Sequence, residues 1–229
     1  MRVYFFDFGF KPLQNEYTSI SYTDSEMERI LFKGFNGSVE TSYYVLSLKN
    51  KFKINTVIET GTFQGDTTSF FINHFNNVHS IEIMEEKYNE VADKFAKENK
   101  KCSLHLGNSS HILTQILPNL KDEMILFYLD AHWGKEWPLK DELIAISQTH
   151  KNNCIIMIDD IKVPTRNDIP YDGYYTYDEL LKKDVYYECS FDYVKEQIKD
   201  IYTNFELHYV IPKNVNSRAK LVIIPIKNT

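Results

Sequence analysis

Residues 56–66 read Thr-Val-Ile-Glu-Thr-Gly-Thr-Phe-Gln-Gly-Asp, and this stretch decides the fold. Thr56, Val57 and Ile58 are β-branched and read as a short buried strand. Glu59 follows at the strand end, then a turn from Gly61 to Gly65, then a helix-like run opened by Asp66. Strand, tight glycine turn and helix in this order bring backbone N–H groups of a parallel α/β sheet against a small ligand. A carboxylate at the strand end disfavours a pyrophosphate and suits a cationic or hydroxyl-rich ligand instead.

The pattern continues outward from there. Apolar runs at 78–83, 102–107, 124–130 and 154–159 alternate with helical stretches at 66–76, 85–99, 109–117 and 138–149. The runs at 124–130 and 154–159 are apolar almost throughout, as parallel strands buried on both faces must be. This alternation predicts an α/β fold, a Rossmann-like doubly wound sheet with helices on both faces. A helix at 191–202 and strands at 205–211 and 219–226, joined by a polar turn, predict a C-terminal antiparallel hairpin. The count is seven strands, mostly parallel.

Upstream, residues 1–23 carry an aromatic strand-like piece and a polar connector. Asp24 caps a helix over 25–33, and Ser38 caps a second helix through Lys49. Residues 1–53 therefore read as a helical lid or dimer arm, with a homodimer as one expectation, and 54–229 as the main domain. The segment 162–190 is rich in tyrosine and reads as a substrate wall or as plain packing, with Lys162 and Arg166 as cations able to meet a phosphate.

Composition sets the outer bounds. A chain of 229 residues with 43% hydrophobic and 25% charged residues is long enough to bury a sizeable core. A net charge of −6 speaks against a nucleic-acid binder with a basic surface. Cys102, Cys154 and Cys189 are far apart, odd in number and form no CxxC, so they do not suggest a disulfide framework or a zinc site, and they point to a reducing cytoplasm. Asp7 interrupts the apolar start and no small-residue cleavage site follows, so no signal peptide is read. No apolar run approaches the length of a membrane span.

Ligands of an open α/β sheet sit beyond the carboxyl ends of its strands. The polar residues there form one candidate set: Glu59 and Thr60, Glu82, Asn108 and Ser109, Asp130 with His132, and Asp159 with Asp160. Glu82, about twenty residues beyond the turn, is placed to accept hydrogen bonds from ribose hydroxyls or else opens the next helix as a solvated carboxylate. Two glycines do not meet the three-glycine dinucleotide fingerprint, which counts against NAD. Asp130, Asp159 and Asp160 end two neighbouring strands. Carboxylates clustered this closely repel, and a divalent cation such as Mg²⁺, Mn²⁺ or Ca²⁺ removes that penalty; the alternative is that Asp159 or Asp160 caps its own loop. His132 can serve as a general base, a metal ligand or a loop hydrogen-bonder. Trp133 and Trp137 wall a pocket or simply pack.

The run IETGTFQGDTT at 58–68, the acidic Glu82 and the strand order with its terminal hairpin resemble a class I S-adenosylmethionine-dependent methyltransferase over residues 54–227. LDAH at 129–132 and IDDI at 158–161 resemble the metal-dependent macrocin O-methyltransferase group, which methylates sugar hydroxyls. The resemblance implies S-adenosylmethionine and Mg²⁺ as cofactors, with Asp130, Asp159 and Asp160 as metal ligands. It implies that Glu59, Thr60, Gly61 and Thr62 face the methionine part, Glu82 the ribose, and Asn108 and Ser109 the adenine edge, with Asp130 bordering the cofactor. His132 stands where that group often has another aspartate as base.

The expectation is then an Mg²⁺-assisted O-methyltransferase. Asp130 and His132 are its catalytic pair, and its acceptor is a hydroxyl of a sugar, nucleotide-sugar or similar small diol. A metal-free methyltransferase and a non-catalytic S-adenosylmethionine-binding partner subunit are the alternatives.

Overall fold

The computed structural model describes residues 2–7, 34–132, 137–178, 181–212 and 218–226. The helix expected over 25–33, Trp133 and most of the turn before Arg218 lie outside the described residues. Among those described, eight strands form the main sheet. They are β1 (Arg2–Asp7), β2 (Thr56–Thr60), β3 (Asn77–Glu82), β4 (Ser103–Leu106), β5 (Ile125–Leu129), β6 (Cys154–Ile158), β9 (Phe205–Ile211) and β10 (Lys220–Pro225). A separate antiparallel hairpin joins β7 (Gly173–Asp178) to β8 (Lys183–Glu188) within the tyrosine-rich segment.

The spatial order is β1-β9-β10-β6-β5-β2-β3-β4. Every neighbouring pair is parallel except those of β10, which runs antiparallel to both β6 and β9. The seven expected strands and their terminal hairpin are therefore present. The eighth is the aromatic piece at the N-terminus, which adds to the edge beside β9 with Tyr4 opposite His208. The chain leaves β2 for β3 on one side and returns through β5 on the other, so a crevice opens at the carboxyl ends of β2 and β5.

Among the described residues six α-helices accompany the sheet: α1 (Val39–Phe52), α2 (Asp66–His74), α3 (Glu85–Lys97), α4 (Ser109–Ile116), α5 (Leu139–Ser147) and α6 (Phe191–Ile201). Their starts follow local chemistry. The Ser38 side chain accepts the Thr41 N–H, Asn108 accepts from Ser110 and His111, and Ser190 accepts from Tyr193. At α2 the cap position belongs to Gly65 in the left-handed region, and Asp66 becomes the first helical residue.

Strand alternation divides the core into two layers. Ile58, Phe127, Leu129, Ile156 and Ile158 face the side covered by α4, α5 and α6, packing with Leu113, Leu143 and Ile198. Val57, Leu126, Tyr128, Ile155 and Met157 face the other side, against Tyr44, Val45 and Leu48 of α1 and Phe70 and Phe71 of α2. Neighbouring strand residues point to opposite faces, so a strand buried on both sides must be apolar throughout. Of the N-terminal region read as a lid or arm, α1 contributes directly to this second layer. Among the described residues no helix is long and apolar enough to cross a membrane.

Candidate active site

The turn after β2 sets the first wall. Gly61 has φ +86°, and a Cβ there would lie 2.7 Å from the Asp130 carbonyl oxygen. Only glycine lets the β2 turn and the end of β5 approach so closely. The N–H groups of Gly61 and Thr62 both donate to the Ile81 carbonyl, at 2.9 and 3.2 Å, tying the turn to β3.

Glu82 ends β3 and lines the crevice. Its carboxylate accepts the Phe63 N–H at 2.8 Å and the Met84 N–H at 2.9 Å, one on each oxygen. Each oxygen keeps a lone pair for a further donor. Asn108 and Ser109 also line it. Asn108 caps α4, while the Ser109 hydroxyl donates to Glu142 Oε1 at 2.5 Å.

Glu59, Thr60 and Thr62 are placed differently: all three are buried behind the crevice wall. Glu59 accepts hydrogen bonds from Thr68 and Ser80, and Thr62 pairs with the same Ser80 hydroxyl at 2.6 Å. Burial pushes the Glu59 carboxyl up to about 7 against the lowering effect of Ser80 and Thr68. These residues brace the turn from beneath. The crevice itself encloses about 530 Å³, bounded at one end by Gly61, Glu82 and Asn108 and at the other by Trp137, Tyr174 and Tyr193.

A second, water-sized cavity of about 20 Å³ adjoins it, lined by Asp130, Asp159, Asp160 and Asp172 with His132, Glu142 and Cys189. Ala131, His132 and Trp137 border both spaces. Ligand atoms of Asp130, His132 and Asp160 lie within 4.8 Å of one another. Asp160 has φ +55°, a left-handed backbone that an aspartate tolerates.

Asp159 is engaged elsewhere. Its carboxylate meets Lys220 Nζ at 2.7 Å, receives the Tyr128 hydroxyl and accepts the Asp160 N–H at 2.7 Å. Of the three aspartates expected to share a cation, the geometry thus groups Asp130 and Asp160 with His132 and sets Asp159 against an internal ammonium. Burial would raise the Asp159 carboxyl, but Lys220, Tyr128 and the Asp160 N–H together hold it below the usual range. Asp130 has no such cation to itself, and burial followed by the charges of Asp159 and Asp160 pushes it well up. Asp160 rises to about 8, through burial first and Asp159 next, although Arg218 and Lys220 oppose the shift.

His132 is held at both nitrogens. Its Nδ1 lies 3.0 Å from the Asp130 carbonyl oxygen, an acceptor only, so Nδ1 carries a proton. Nε2 faces Asp172 Oδ2 at 2.9 Å and Asp160 Oδ2 at 3.6 Å. Arg218 bridges Asp160, at 2.7 Å, and Asp172. Asp172, Arg218 and Lys220 were not singled out from sequence. Lys220 did leave a signal there, since a lysine inside the apolar run Ala-Lys-Leu-Val-Ile-Ile must find a buried partner.

The inner face of the β7–β8 hairpin completes the outer end. Trp137 stacks on Tyr193 at 4.7 Å with an 8° interplanar angle, and Tyr174 stands 6.3 Å from Trp137 at 53°. Lys140 Nζ lies 4.0 Å over the Tyr193 ring. Two cations expected near a phosphate are already paired: Lys162 with Glu188 at 2.7 Å and Arg166 with Asp168 at 2.8 Å.

No protein-family model and no curated protein matches the sequence. Solved structures do match in fold. The O-methyltransferase TomG from Streptomyces achromogenes, involved in tomaymycin synthesis and solved with S-adenosylmethionine, is 10% identical, with 92% of this chain and 93% of TomG covered at a TM-score of 0.57. The Podospora anserina methyltransferase PaMTH1, solved with S-adenosylhomocysteine, is 11% identical over 92% and 91% at 0.51. Streptomyces venezuelae DesVI is 9% identical over 90% and 100% at 0.52. At such identities the likeness is one of fold, and the fold is that of the class I methyltransferases.

Proposed function

We propose that this chain is an S-adenosylmethionine-dependent O-methyltransferase that uses a divalent cation to activate a hydroxyl of a sugar or similar small diol. The observation that carries the reading is the shared wall of the two cavities. Ala131 and His132 separate a glycine-turn crevice ending in Glu82 and Asn108 from a water-sized pocket of aspartates.

The crevice fits the cofactor on its own chemistry. Gly61 lets the β2 turn close against the end of β5 at the crevice wall, Glu82 retains acceptor capacity for ribose hydroxyls, and Asn108 with Ser109 offers polar atoms at the next strand end. When bound, S-adenosylmethionine supplies an electrophilic methyl group. The small cavity fits a cation, because its donors are carboxylate oxygens with one imidazole nitrogen and its volume is that of one water or ion. Asp130 and Asp160 would hold the ion, beside His132. When bound, a divalent cation lowers the pKa of a hydroxyl placed against it.

The chain's own residues do the rest. The Nδ1–H bond to the Asp130 carbonyl fixes the His132 ring. Nε2 is the atom that receives the acceptor's proton, which requires the acceptor hydroxyl to take the place of Asp172 Oδ2, 2.9 Å away in the free protein; Asp172 and Asp160 beside it then stabilise the imidazolium that results. Tyr174, Trp137 and Tyr193 shield the outer end from water, and the rigid β2 and β5 ends set the alignment on which most of the acceleration depends.

A metal-free variant of the same chemistry has one observation in its favour: Lys220 and Arg218 already neutralise part of the acidic cluster. Calorimetric titration of S-adenosylmethionine with Mg²⁺ and then with EDTA tests both. Binding on the order of micromolar in each condition supports the cofactor, and separate Mg²⁺ binding that Asp160→Asn abolishes supports the cation. Absence of S-adenosylmethionine binding in both conditions overturns the methyltransferase reading. Binding of the cofactor with no Mg²⁺ uptake leaves the metal-free enzyme.

A further inference from the structure

The crevice is longer than its glycine-turn end, and its outer end has a definite chemistry. Trp137 and Tyr174 meet at 53° with their ring centroids 6.3 Å apart, forming an aromatic corner that opens onto the crevice beside Asp141. The corner is stiff. Trp137 stacks on one face of Tyr193, and the Lys140 ammonium lies 4.0 Å from that ring's centroid, so Lys140 must occupy the opposite face, away from Trp137.

Among the described residues that line this end the charged side chain is Asp141, with Lys140 held on the far face of Tyr193. Among the described residues lining the crevice there is no lysine or arginine, while Glu82 and Asp141 contribute carboxylates. The adjoining small cavity adds four aspartates, against which stand Arg218 and Lys220. Aromatic faces carry negative potential and attract cations, most strongly where a carboxylate stands beside them. An anion entering here would meet those carboxylates with no lysine or arginine among the described lining residues to receive it.

We propose that the Trp137–Tyr174 corner is the acceptor-recognition subsite and that it takes a protonated amine borne on the hydroxylated acceptor. Acceptors carrying carboxylate or phosphate near the reacting hydroxyl are rejected. The assignment rests on the methyltransferase reading for its reaction but not for its binding chemistry.

The test compares dopamine with 3,4-dihydroxyphenylacetate, two catechols of similar size that differ in the charge at the end of the side chain. Their binding to the intact protein is measured calorimetrically, with S-adenosylhomocysteine and Mg²⁺ saturating. The expected result is roughly a ten-fold preference for dopamine, the scale of a partly desolvated cation–π contact. Asp141→Asn, an exposed and conservative change, reduces that preference a few-fold, as an exposed ion pair does. Trp137→Ala removes it, and both variants keep their affinity for S-adenosylhomocysteine. Equal binding of the two probes, tighter binding of the anion or no binding of dopamine overturns the subsite. So does an undiminished preference in both variants. Failure of S-adenosylhomocysteine to bind the wild-type protein is a different result, which strikes the methyltransferase reading. The probe comparison, repeated without it, still decides the charge preference of the corner.

Discussion

Glu142 offers a prediction whose size follows from its surroundings. The residue is fully buried on α5, and its Oε1 receives the Ser109 hydroxyl. Burial raises its carboxyl from 4.5 to about 7, although Ser109 and Thr60 pull the other way. The folded protein therefore holds this proton more tightly than the unfolded chain does. Stability from the group is fully present below the unfolded value of 4.5 and is lost as pH rises through about 7. A shift of this size corresponds to about 3 kcal/mol, from about 1.4 kcal/mol per unit. Glu142→Gln cannot ionise, so the difference in unfolding free energy between wild type and variant should move by about 3 kcal/mol between pH 4 and pH 8, with the wild type losing. Any fixed cost of the buried amide cancels in that comparison. Glu59, also raised to about 7, is present in both proteins and cancels too, provided the sites act independently. Urea denaturation followed by circular dichroism at pH 4, 6 and 8 gives the numbers. A difference that stays flat across that range would mean that Glu142 ionises in the fold as it does in water, and the argument from burial would fail.

Three further outcomes are expected. Lys220→Met strands the buried Asp159 carboxylate and should lower stability by about 3–5 kcal/mol, and adding Asp159→Asn should restore most of it. A single-variant melting temperature within a degree of wild type would deny the pair its structural role. Gly61→Ala places a methyl group 2.7 Å from the Asp130 carbonyl at φ +86°. It should reduce S-adenosylhomocysteine affinity more than ten-fold, roughly 1.4 kcal/mol or more, whereas unchanged affinity would remove the turn from the cofactor site. Glu82→Gln retains the acceptor oxygen facing one backbone N–H but loses its charge and one acceptor. It should weaken S-adenosylhomocysteine by about ten-fold while leaving Mg²⁺ binding intact, and a loss of Mg²⁺ binding instead would misplace Glu82.

The sheet was legible because each central strand is buried on both faces. Ile125–Leu129 and Cys154–Ile158 lie between two apolar layers, so nothing polar interrupts them until the strand ends. The residues at those ends were legible for the complementary reason: Glu82, Asp130 and Asp160 stand where the apolar run must stop. What sequence could not supply was partnership across long separations. Asp172 reaches His132 over forty residues, and Lys220 reaches Asp159 over sixty-one; no periodicity encodes either contact. The β7–β8 hairpin was hidden as well. Tyrosines occupy both of its faces, with Tyr174 directed to Trp137 while Tyr175 and Tyr186 pair on the exposed side, so the apolar–polar alternation of a half-buried strand is absent. Glu59 stands at a strand end as well. Its position at the strand end suggests ligand contact, but Thr68 and Ser80 draw it inward to brace the turn.

The two cations of the acidic cluster are not equivalent, and the difference bears on what the cluster does. Lys220 is wholly buried, donates to the Arg218 carbonyl at 2.9 Å and pairs with an Asp159 that is itself fully buried. That pair cannot open without leaving a charge in the core, so it belongs to the scaffold. Arg218 is about one-third exposed and bridges Asp160 and Asp172, both of which also face His132. With every aspartate ionised and His132 neutral, the two fixed cations leave two negative charges unbalanced at Asp130, Asp160 and Asp172. Burial first, and this deficit next, pushes Asp130 and Asp160 upward. A single divalent ion matches it, and a second would oppose Arg218 and Lys220. The Asp159–Lys220 pair therefore supports a one-ion centre beside His132 and explains why a cluster of four aspartates need not hold two ions.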